Sequence, residues 1–249
     1  PTRRSSDLTL ARQAMDEIYS HGNIPIITGG TGFYIQALLY DIDFKENNEK
    51  NPIRKELEQL AKELGDKAPG ALYEKLSHID PEAARQIHAN NIKRVIRAIE
   101  YFEQTGEKIS EHNEEMHQKE SPYNFLYYVL TRDRKTLYER IDKRVDIMIA
   151  NGLVKEIEKL KAMGCHRGQT SMQGLGYKEI LDYLDGSCTL DEAVYILKRD
   201  TRHFAKRQLT WFRRERDVRW LDLDRYQGNT DLILKDILKD CEEKRIVLK

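Results

Sequence analysis

A short apolar segment that runs directly into a glycine-rich turn is the feature that most limits how this chain can fold. Residues Asn23–Thr28 predict a strand, and Gly29–Gly32 follow at once and lead into an apolar helix from Phe33 to Tyr40. A helix with apolar residues at 3.6-residue spacing precedes the strand and is expected to end near Gly22. Helix, strand, glycine turn and helix in this order are typical of a parallel sheet covered by helices, so we predict an α/β fold.

The middle of the chain has helix signals and no strand signals, which predicts a helical insertion in the α/β core. Helices are predicted at 53–64, 70–76, 80–87 and 91–102. Asp80-Pro81 is a strong helix start, because Asp caps the first turn and proline fits its first position. The polar stretch 107–120 is predicted to be a mobile connection, and further strands are predicted at 125–131 and 218–223.

Charge and cysteine content exclude several classes of protein. The 249 residues include 42 Lys+Arg and 42 Asp+Glu, with a mean hydropathy of −0.72. No apolar run approaches the ~20 residues of a membrane span, and the first eight residues lack the apolar core of a secretory signal. Three widely spaced cysteines provide neither a disulfide framework nor a C-x-x-C metal clip. We therefore expect a cytoplasmic protein with no membrane partner.

The glycine turn is the first candidate binding site. Backbone amides of such a turn, together with the N-terminus of the following helix, can hold an anionic ligand, and Thr31 would add a hydroxyl beside it. The other interpretation is a plain strand-to-helix turn, which needs glycines for its geometry alone. The G-x-x-x-x-G-K-[ST] phosphate loop does not occur in these residues, because they contain no Gly-Lys dipeptide.

A cluster of three basic residues and a separate pair of arginines are further candidates for phosphate binding. Lys93, Arg94 and Arg97 lie opposite an apolar helix face, and Arg140 and Arg144 are four residues apart on one face of another helix. A guanidinium group binds two phosphate oxygens at once. A solvent-exposed amphipathic helix produces the same pattern without any ligand, so both interpretations stay open.

The segment from Thr201 to Phe212 alternates basic and aromatic residues around one predicted helix. Between residues 198 and 219 the chain has nine basic residues against three acidic ones, which favours binding to phosphates or nucleic acid. Aromatic rings beside cations are typical of surfaces on which bases stack. The alternatives are a solvated helix face and, for Trp211, a place in the core. The seven histidines have no metal-ligand spacing, so we expect no metal site made only of side chains.

Five motifs occur in one order along the chain. They are Gly29-Gly-Thr-Gly-Phe-Tyr34, Asp80-Pro-Glu-Ala-Ala84, Ile87-His-Ala-Asn-Asn-Ile-Lys-Arg94 with Arg97-Ala-Ile-Glu100, Gly174-Leu-Gly-Tyr-Lys-Glu179, and Thr201-Arg202 with Ala205-Lys-Arg-Gln208 and Thr210-Trp211. Through these motifs the chain closely resembles the bacterial tRNA dimethylallyltransferase (tRNA isopentenyltransferase) family, over residues 8–223. It departs from the family at Ala89 and Asn91, where the family often has Pro and Asp.

The resemblance implies an enzyme that moves a dimethylallyl group from dimethylallyl diphosphate to the exocyclic amine of the adenosine 3′ of the anticodon. It implies a P-loop NTPase-like parallel sheet core at residues 8–45 and 119–249, with an ATP-like nucleotide-binding pocket for phosphates. An all-helical insertion at 46–118 would contact the anticodon arm of tRNA. Mg²⁺ would assist the departing diphosphate, and we expect a cytoplasmic monomer.

The resemblance also implies roles for individual residues. Thr31, Arg140 and Arg144 are expected to be catalytic, and Gly30 and Gly32 are expected to bind the diphosphate together with the two arginines. The residues expected to contact tRNA are Thr31, Arg54, Lys93, Arg94, Val95, Ile96, Arg97, Gln173, Gly174, Leu175, Gly176, Tyr177, Lys178, Lys206, Arg207 and Trp211.

Two further elements of the family, a phosphate loop and an Asp-Ser-x-Gln segment with the general-base Asp, are expected upstream of Pro1. Residues 1–7 match nothing in the family and resemble a junction. We therefore expect an N-terminally truncated member that lacks the first strand and phosphate loop, folds poorly alone, binds tRNA weakly and transfers no prenyl group. The alternatives are a non-catalytic tRNA-binding fragment and a P-loop-type small-molecule kinase, which shares the core fold.

Overall fold

The computed structural model describes residues 3–42 and 51–246, and this part of the chain is mostly helical with one small sheet. The helices before the sheet are α1 (Arg3–Ser20), α2 (Gly32–Leu39), α3 (Pro52–Leu64), α4 (Ala68–Ile79), α5 (Pro81–Gln86), α6 (Ile92–Thr105) and α7 (Ile109–Gln118). The remaining elements are β1 (Tyr127–Thr131), α8 (Arg134–Ala150), α9 (Leu153–Ala162), α10 (Tyr177–Leu184), α11 (Leu190–Phe212), β2 (Val218–Asp222) and α12 (Thr230–Glu243).

Among the described residues, two strands form the sheet, and both were predicted from the sequence. β1 and β2 pair in parallel, with Tyr127 opposite Val218 and Thr131 opposite Asp222. The connection between them is long and helical, as parallel pairing requires. On α12, the carboxylate of Asp240 accepts a hydrogen bond from the Tyr128 hydroxyl at 2.5 Å and pairs with Arg219, so α12 is attached to both strands.

The segment Asn23–Thr28, predicted as a strand, is not a strand in the structure. It follows α1 without regular secondary structure and pairs with no strand of the described residues, and Ile26 is 85% exposed. A strand is stable when its backbone N–H and C=O groups pair with a neighbouring strand. Within the described residues the sheet contains β1 and β2 alone, so this apolar segment has no ladder to join.

Contacts divide the chain into two compact units. Unit 1 is Pro1–Ile27 with Phe33–Tyr123, and unit 2 is Thr28–Gly32 with Asn124–Lys249. These boundaries differ from the predicted domains, 8–45 with 119–249 and 46–118, whose assignment to catalysis and tRNA binding stays a prediction. The predicted boundary at residues 45 and 46, and the first two residues of the predicted junction 1–7, lie outside the described residues.

Unit 1 is built around the apolar faces of α3, α4, α5 and α6. The buried residues of this core are Leu57, Leu72, Leu76, Ala83, Ala84, Ile87, Val95, Ile96, Ala98 and Ile99. A second, smaller cluster joins α1 to α2 through Leu8, Met15, Ala37 and Leu38. All four helices predicted in the insertion are present, because their apolar residues recur at helical spacing and bury one face.

The stretch 107–120, predicted as a mobile connection, is in fact largely the helix α7. Its sequence is polar, but Ile109 packs against the unit 1 core. The first turn is also held by Asp80, whose carboxylate accepts hydrogen bonds from the N–H and the hydroxyl of Ser110 at 2.9 and 2.7 Å. These tertiary contacts explain why a helix forms where the local pattern does not indicate one.

Unit 2 is built around the apolar faces of α8, α9, α10 and α11. Its buried residues are Val145, Leu153, Ile157, Met172, Ile180, Leu181, Ala193 and Leu197. α11 begins with a reciprocal cap, in which Glu192 accepts a hydrogen bond from the Thr189 N–H and donates its own N–H to the Thr189 hydroxyl. α8 and α9 are separated at Gly152, whose φ of +96° breaks the helix.

Candidate nucleic-acid interface

The exposed face of α11 carries the basic and aromatic residues predicted to contact tRNA. A shallow groove of about 480 Å³ lies on this face. It is lined by His203, Lys206, Arg207, Thr210, Trp211 and Arg214, and we call it the α11 groove. Three of these residues are cations, so the groove has a positive potential that suits phosphate groups.

Two aromatic side chains are exposed along the same helix. Phe204 is 41% and Trp211 is 39% exposed, so Trp211 is not a core residue. The seven-residue spacing places both rings on one face, and Arg207 lies over the Phe204 ring at 5.8 Å from its centroid. Cations alternating with partly exposed rings form a surface on which both phosphates and unstacked bases can bind.

The glycine loop, residues Gly29–Gly32, packs against the same helix. The Gln208 side-chain amide donates a hydrogen bond to the Gly30 carbonyl at 2.8 Å. A Cβ atom at Gly30 would lie 2.0 Å from Gln208 Nε2, and one at Gly32 would lie 2.1 Å from Trp211 Cδ1 and Nε1. Gly32 therefore requires glycine for packing against the rigid indole, whereas at Gly30 the end of the flexible Gln208 side chain could move aside. The predicted role of both glycines in binding diphosphate stays a prediction. Thr31, between them, is exposed to solvent.

Glu215 contacts the indole of Trp211 from the end of α11. Trp211 donates a hydrogen bond to the Glu215 carboxylate. The pKa of Glu215 is raised because burial disfavours the charged carboxylate, and the opposing effects of Arg216 and of this hydrogen bond are smaller. Sequence analysis missed both Gln208 and Glu215 as site residues. Gln208 belongs to the quoted motif Ala205-Lys-Arg-Gln208, whereas Glu215 lies beyond the end of α11 at Phe212, so no helical spacing identifies its contact with Trp211.

Arg140 and Arg144 are exposed on one face of α8, as predicted. Neither forms an ion pair with any described residue. Asp142 and Asp146, on another face of α8, pair with Arg202 and Lys198 of α11 at 2.5 and 2.6 Å. α8 is thus held to α11 by its acidic face, while its two arginines point to solvent and are available to an anionic ligand.

On α6, the structure separates the predicted tRNA contacts into two groups. Lys93, Arg94 and Arg97 are exposed. Val95 and Ile96 are 0% and 4% exposed and belong to the unit 1 core, so the structure gives their side chains a packing role, and their contact with tRNA stays a prediction. The α-helical period explains the division, because these two residues fall on the apolar face of the same helix.

Arg54, predicted to contact tRNA, is engaged inside unit 1. Its guanidinium donates from Nη2 and Nε to Glu100 Oε2 at 2.5 and 3.0 Å. Glu100 is 2% exposed and also accepts from the side-chain amide of Asn51 at 3.2 Å. A buried carboxylate needs such a partner, so the structure gives Arg54 a stabilising role that the sequence analysis did not identify.

The motif from Gln173 to Lys178 lies before and at the start of α10. Leu175 and Tyr177 pack against the unit 2 core, and Gly176 is buried with its N–H donating to Glu179 at 2.9 Å. Gln173 and Gly174 are exposed, and Gln173 donates to the Arg167 carbonyl.

Lys178, in the same motif, already has two acidic neighbours. Its ammonium lies 3.3 Å from Glu179 and 3.6 Å from Asp200. Burial by itself raises the pKa of Asp200, but Arg199 and Lys178 outweigh this and hold that pKa below its ordinary value. The contacts therefore favour a structural role for Leu175, Gly176 and Tyr177, and leave exposed Gln173 and Gly174 as surface candidates.

The family is shown by comparison with known proteins. A family model described as IPP transferase matches residues 8–215. The tRNA dimethylallyltransferase of Lachnoclostridium phytofermentans is 58% identical over 237 residues, which are 95% of this chain and 74% of that protein. The chain belongs to the IPP transferase family. The tRNA dimethylallyltransferase of Acetivibrio thermocellus is 51% identical, over 90% of this chain and 71% of that protein.

Solved structures of the IPP transferase family have the same fold. The tRNA isopentenylpyrophosphate transferase of Bacillus halodurans is 40% identical with a TM-score of 0.65, covering 97% of this chain and 75% of that one. A eukaryotic dimethylallyltransferase acting on tRNA is 27% identical with a TM-score of 0.72, and the match covers 95% of this chain and 61% of that one. The mostly helical α/β fold with a small parallel sheet is therefore that of the IPP transferases.

Residues 3–42 and 51–246 contain no group of three or more His, Cys, Asp or Glu side chains that could hold a metal ion. None of the helices described there is both long and apolar enough to cross a membrane.

Proposed function

We propose that this chain serves the tRNA dimethylallyltransferase reaction of its family. The observation that carries the proposal is the packing of the glycine loop against the basic, aromatic-lined α11 groove. The basic, aromatic face and the glycine loop meet on one helix, which supports a site where tRNA and the reacting groups lie close together. The substrates are a tRNA, recognised at its anticodon arm, and dimethylallyl diphosphate.

The reaction is an alkyl transfer. The exocyclic amine of the adenosine 3′ of the anticodon forms a bond to C1 of the dimethylallyl group, the C1–O bond breaks, and diphosphate leaves with its electron pair. The amine then loses one proton to a base. We assign Thr31 to hold the adenosine, and Arg140, Arg144, Gly30 and Gly32 to bind the diphosphate, because forked guanidinium groups stabilise charge that develops on phosphate oxygens.

The proposal extends to the fold and the partners. The two-stranded sheet and its helices would belong to a P-loop-like core with an ATP-like nucleotide pocket, and the helices of residues 46–118 would be an inserted tRNA-binding domain. Lys93, Arg94 and Arg97 would contact the tRNA backbone from α6, and Lys206, Arg207 and Trp211 from α11. A monomer in the cytoplasm fits these assignments.

Mg²⁺ is proposed to accompany the diphosphate. The described residues offer no cluster of three or more His, Cys, Asp or Glu side chains that would hold the ion through the protein alone. When bound, Mg²⁺ would neutralise charge on the leaving diphosphate, with phosphate oxygens as its main ligands.

The proposal is tested with labelled dimethylallyl diphosphate, Mg²⁺ and unmodified tRNA. The assay uses the 249-residue chain and the product of the whole reading frame that encodes it. Transfer of label to tRNA by the whole-frame product is expected. A product that binds tRNA without transferring label would overturn the proposal in favour of a tRNA-binding protein. Transfer by the 249-residue chain alone would show that the general base lies within these residues.

Replacing Thr31 by alanine in the active protein should lower kcat by about 10–100-fold, because one hydrogen bond to the reacting adenosine is lost in the transition state. Steady-state kinetics with saturating tRNA measure this effect. Thr28→Ala is the matched control, because Thr28 is an exposed threonine just before the same loop, and it should change kcat little. An unchanged kcat/KM for Thr31→Ala would remove Thr31 from the site.

Lys93→Ala and Lys206→Ala should each weaken tRNA binding by the 249-residue chain. The slope of log K against log salt concentration should fall by about one unit or less for each variant, since each loses one phosphate contact. Filter binding across a salt series measures the slope. Lys159→Ala, an exposed cation on α9, is the control. Slopes equal to that control would show that these lysines are only solvated side chains.

A further inference from the structure

Two side chains of α11 lie directly against the backbone of the glycine loop. Gln208 and Trp211 are three residues apart, so they project from one side of the helix and reach successive parts of the loop. Gln208 binds the Gly30 carbonyl at 2.8 Å, and the Trp211 indole occupies the space that a Cβ at Gly32 would need. The loop is therefore held at two points, one on each side of Thr31.

The orientation of the Trp211 indole depends in turn on a third residue. An indole has one donor, Nε1–H, and here Trp211 donates to the carboxylate of Glu215. The second carboxylate oxygen of Glu215, Oε2, is buried and accepts no hydrogen bond from the described residues. A buried acceptor without a donor lowers stability, which points to a role for Glu215 other than stabilising the fold.

We infer that Gln208 and Glu215 are positioning residues for the glycine loop. Gln208 holds the Gly30 carbonyl directly, whereas Glu215 acts through Trp211, which it keeps against Gly32. Neither residue is expected to touch the substrate. Together they fix the place of Thr31, and this last step rests on the proposed function.

The test compares two substitutions at Glu215 that differ in hydrogen-bonding capacity. Glu215→Gln keeps an oxygen that can accept the indole N–H, whereas Glu215→Leu removes the acceptor. Both are made in a Trp220→Phe background, so that tryptophan fluorescence reports Trp211 alone. Glu158→Leu, an exposed glutamate on α9, controls for the loss of one negative charge.

In the 249-residue chain, Glu215→Leu should shift the Trp211 emission to the red and increase its quenching by acrylamide. Glu215→Gln and Glu158→Leu should behave like the parent, and far-UV circular dichroism checks that α11 remains folded. Trp211 fluorescence unchanged in Glu215→Leu would overturn the inference, whatever the outcome of the transferase assay.

In the active protein, Gln208→Leu and Glu215→Leu should each lower kcat by about 10–100-fold through misplacement of the loop. The Kd for tRNA should stay unchanged in Gln208→Leu, whereas Glu215→Leu also releases Trp211, a proposed tRNA contact, and should weaken tRNA binding as well. Glu215→Gln should restore most of the rate. A weaker Kd with unchanged kcat would show that this part of α11 only contacts tRNA and would overturn the positioning role. If the parent transfers no prenyl group, the proposed function fails, while the fluorescence result still decides whether Glu215 holds Trp211.

Discussion

Replacing Arg54 by methionine should lower the free energy of unfolding by about 3–5 kcal/mol, because it leaves a buried carboxylate without its cation. Glu100 is 2% exposed, and Arg54 provides two of its hydrogen bonds, at 2.5 and 3.0 Å. Methionine keeps much of the length and apolar area of the arginine side chain, so the loss reports mainly on the charge. Urea unfolding followed by circular dichroism measures it.

Lys55→Met is the matched control for this substitution. Lys55 is the next residue on α3 and is exposed, so its replacement should cost less than about 0.5 kcal/mol. Adding Glu100→Leu to Arg54→Met should recover much of the stability, since removal of both charges leaves no unpaired ion. If Arg54→Met is as stable as Lys55→Met but binds tRNA less tightly, Arg54 is the tRNA contact that the family resemblance implies.

Asp80→Ala should lower the free energy of unfolding by about 3 kcal/mol, the sum of a lost helix cap and of donors left without acceptors. Asp80 is 1% exposed. Its carboxylate accepts hydrogen bonds from the Ala83 N–H at 2.9 Å and from both the N–H and the hydroxyl of Ser110. One side chain therefore caps α5 and holds the first turn of α7.

Glu82→Ala provides the comparison within the same helix. Glu82 is exposed on α5 and pairs with Arg85 at 2.6 Å, and exposed pairs of this kind contribute about 0–1 kcal/mol. Hydrogen exchange should also distinguish the two variants, because only Asp80→Ala should increase exchange across α7. Equal stability of the two variants would show that Asp80 does not hold α7.

The same carboxylate should make the stability of unit 1 depend on pH. Burial raises the pKa of Asp80, but the bonds from Ala83 and Ser110 outweigh burial and hold that pKa below its ordinary value of 3.8. Because the pKa of Asp80 is lower in the folded state, the ionised carboxylate stabilises the protein at every pH above its ordinary pKa. This stabilisation is lost as the pH falls from the ordinary pKa through the folded-state pKa. Asp80→Asn does not titrate, so the stability difference between parent and variant should shrink below about pH 4.

The helices of unit 1 could be predicted from the sequence because their signals are local. Apolar residues at helical spacing and the Asp80-Pro81 start are sufficient to define α3, α4, α5 and α6. α7 could not be predicted in this way. This helix depends on the hydrogen bond that Ser110 donates to Asp80, thirty residues earlier, and no local sequence pattern indicates such a contact.

The same difference between local signals and long-range contacts applies to the site residues. Motif order was sufficient to identify the family, and helical spacing placed Arg140 with Arg144 and Lys206 with Arg207 on exposed faces. Spacing also distinguishes exposed Lys93 and Arg94 from their apolar neighbours. Membership of a motif does not separate residues that contact a ligand from those that build the core, so the sequence did not show that Val95 and Ile96 are buried.

The sequence by itself determined the family, the helical segments and the basic character of α11. The tertiary structure alone decided that Arg54 pairs with Glu100, that Asn23–Thr28 joins no sheet within the described residues, and that Gly30 and Gly32 give room to Gln208 and Trp211. The physical reason is the distance along the sequence over which each interaction acts. Helix periodicity relates residues three or four positions apart. Burial, strand pairing and close backbone approach join residues that are far apart in the sequence, 46 positions for Arg54 with Glu100 and 179 for Gly32 with Trp211.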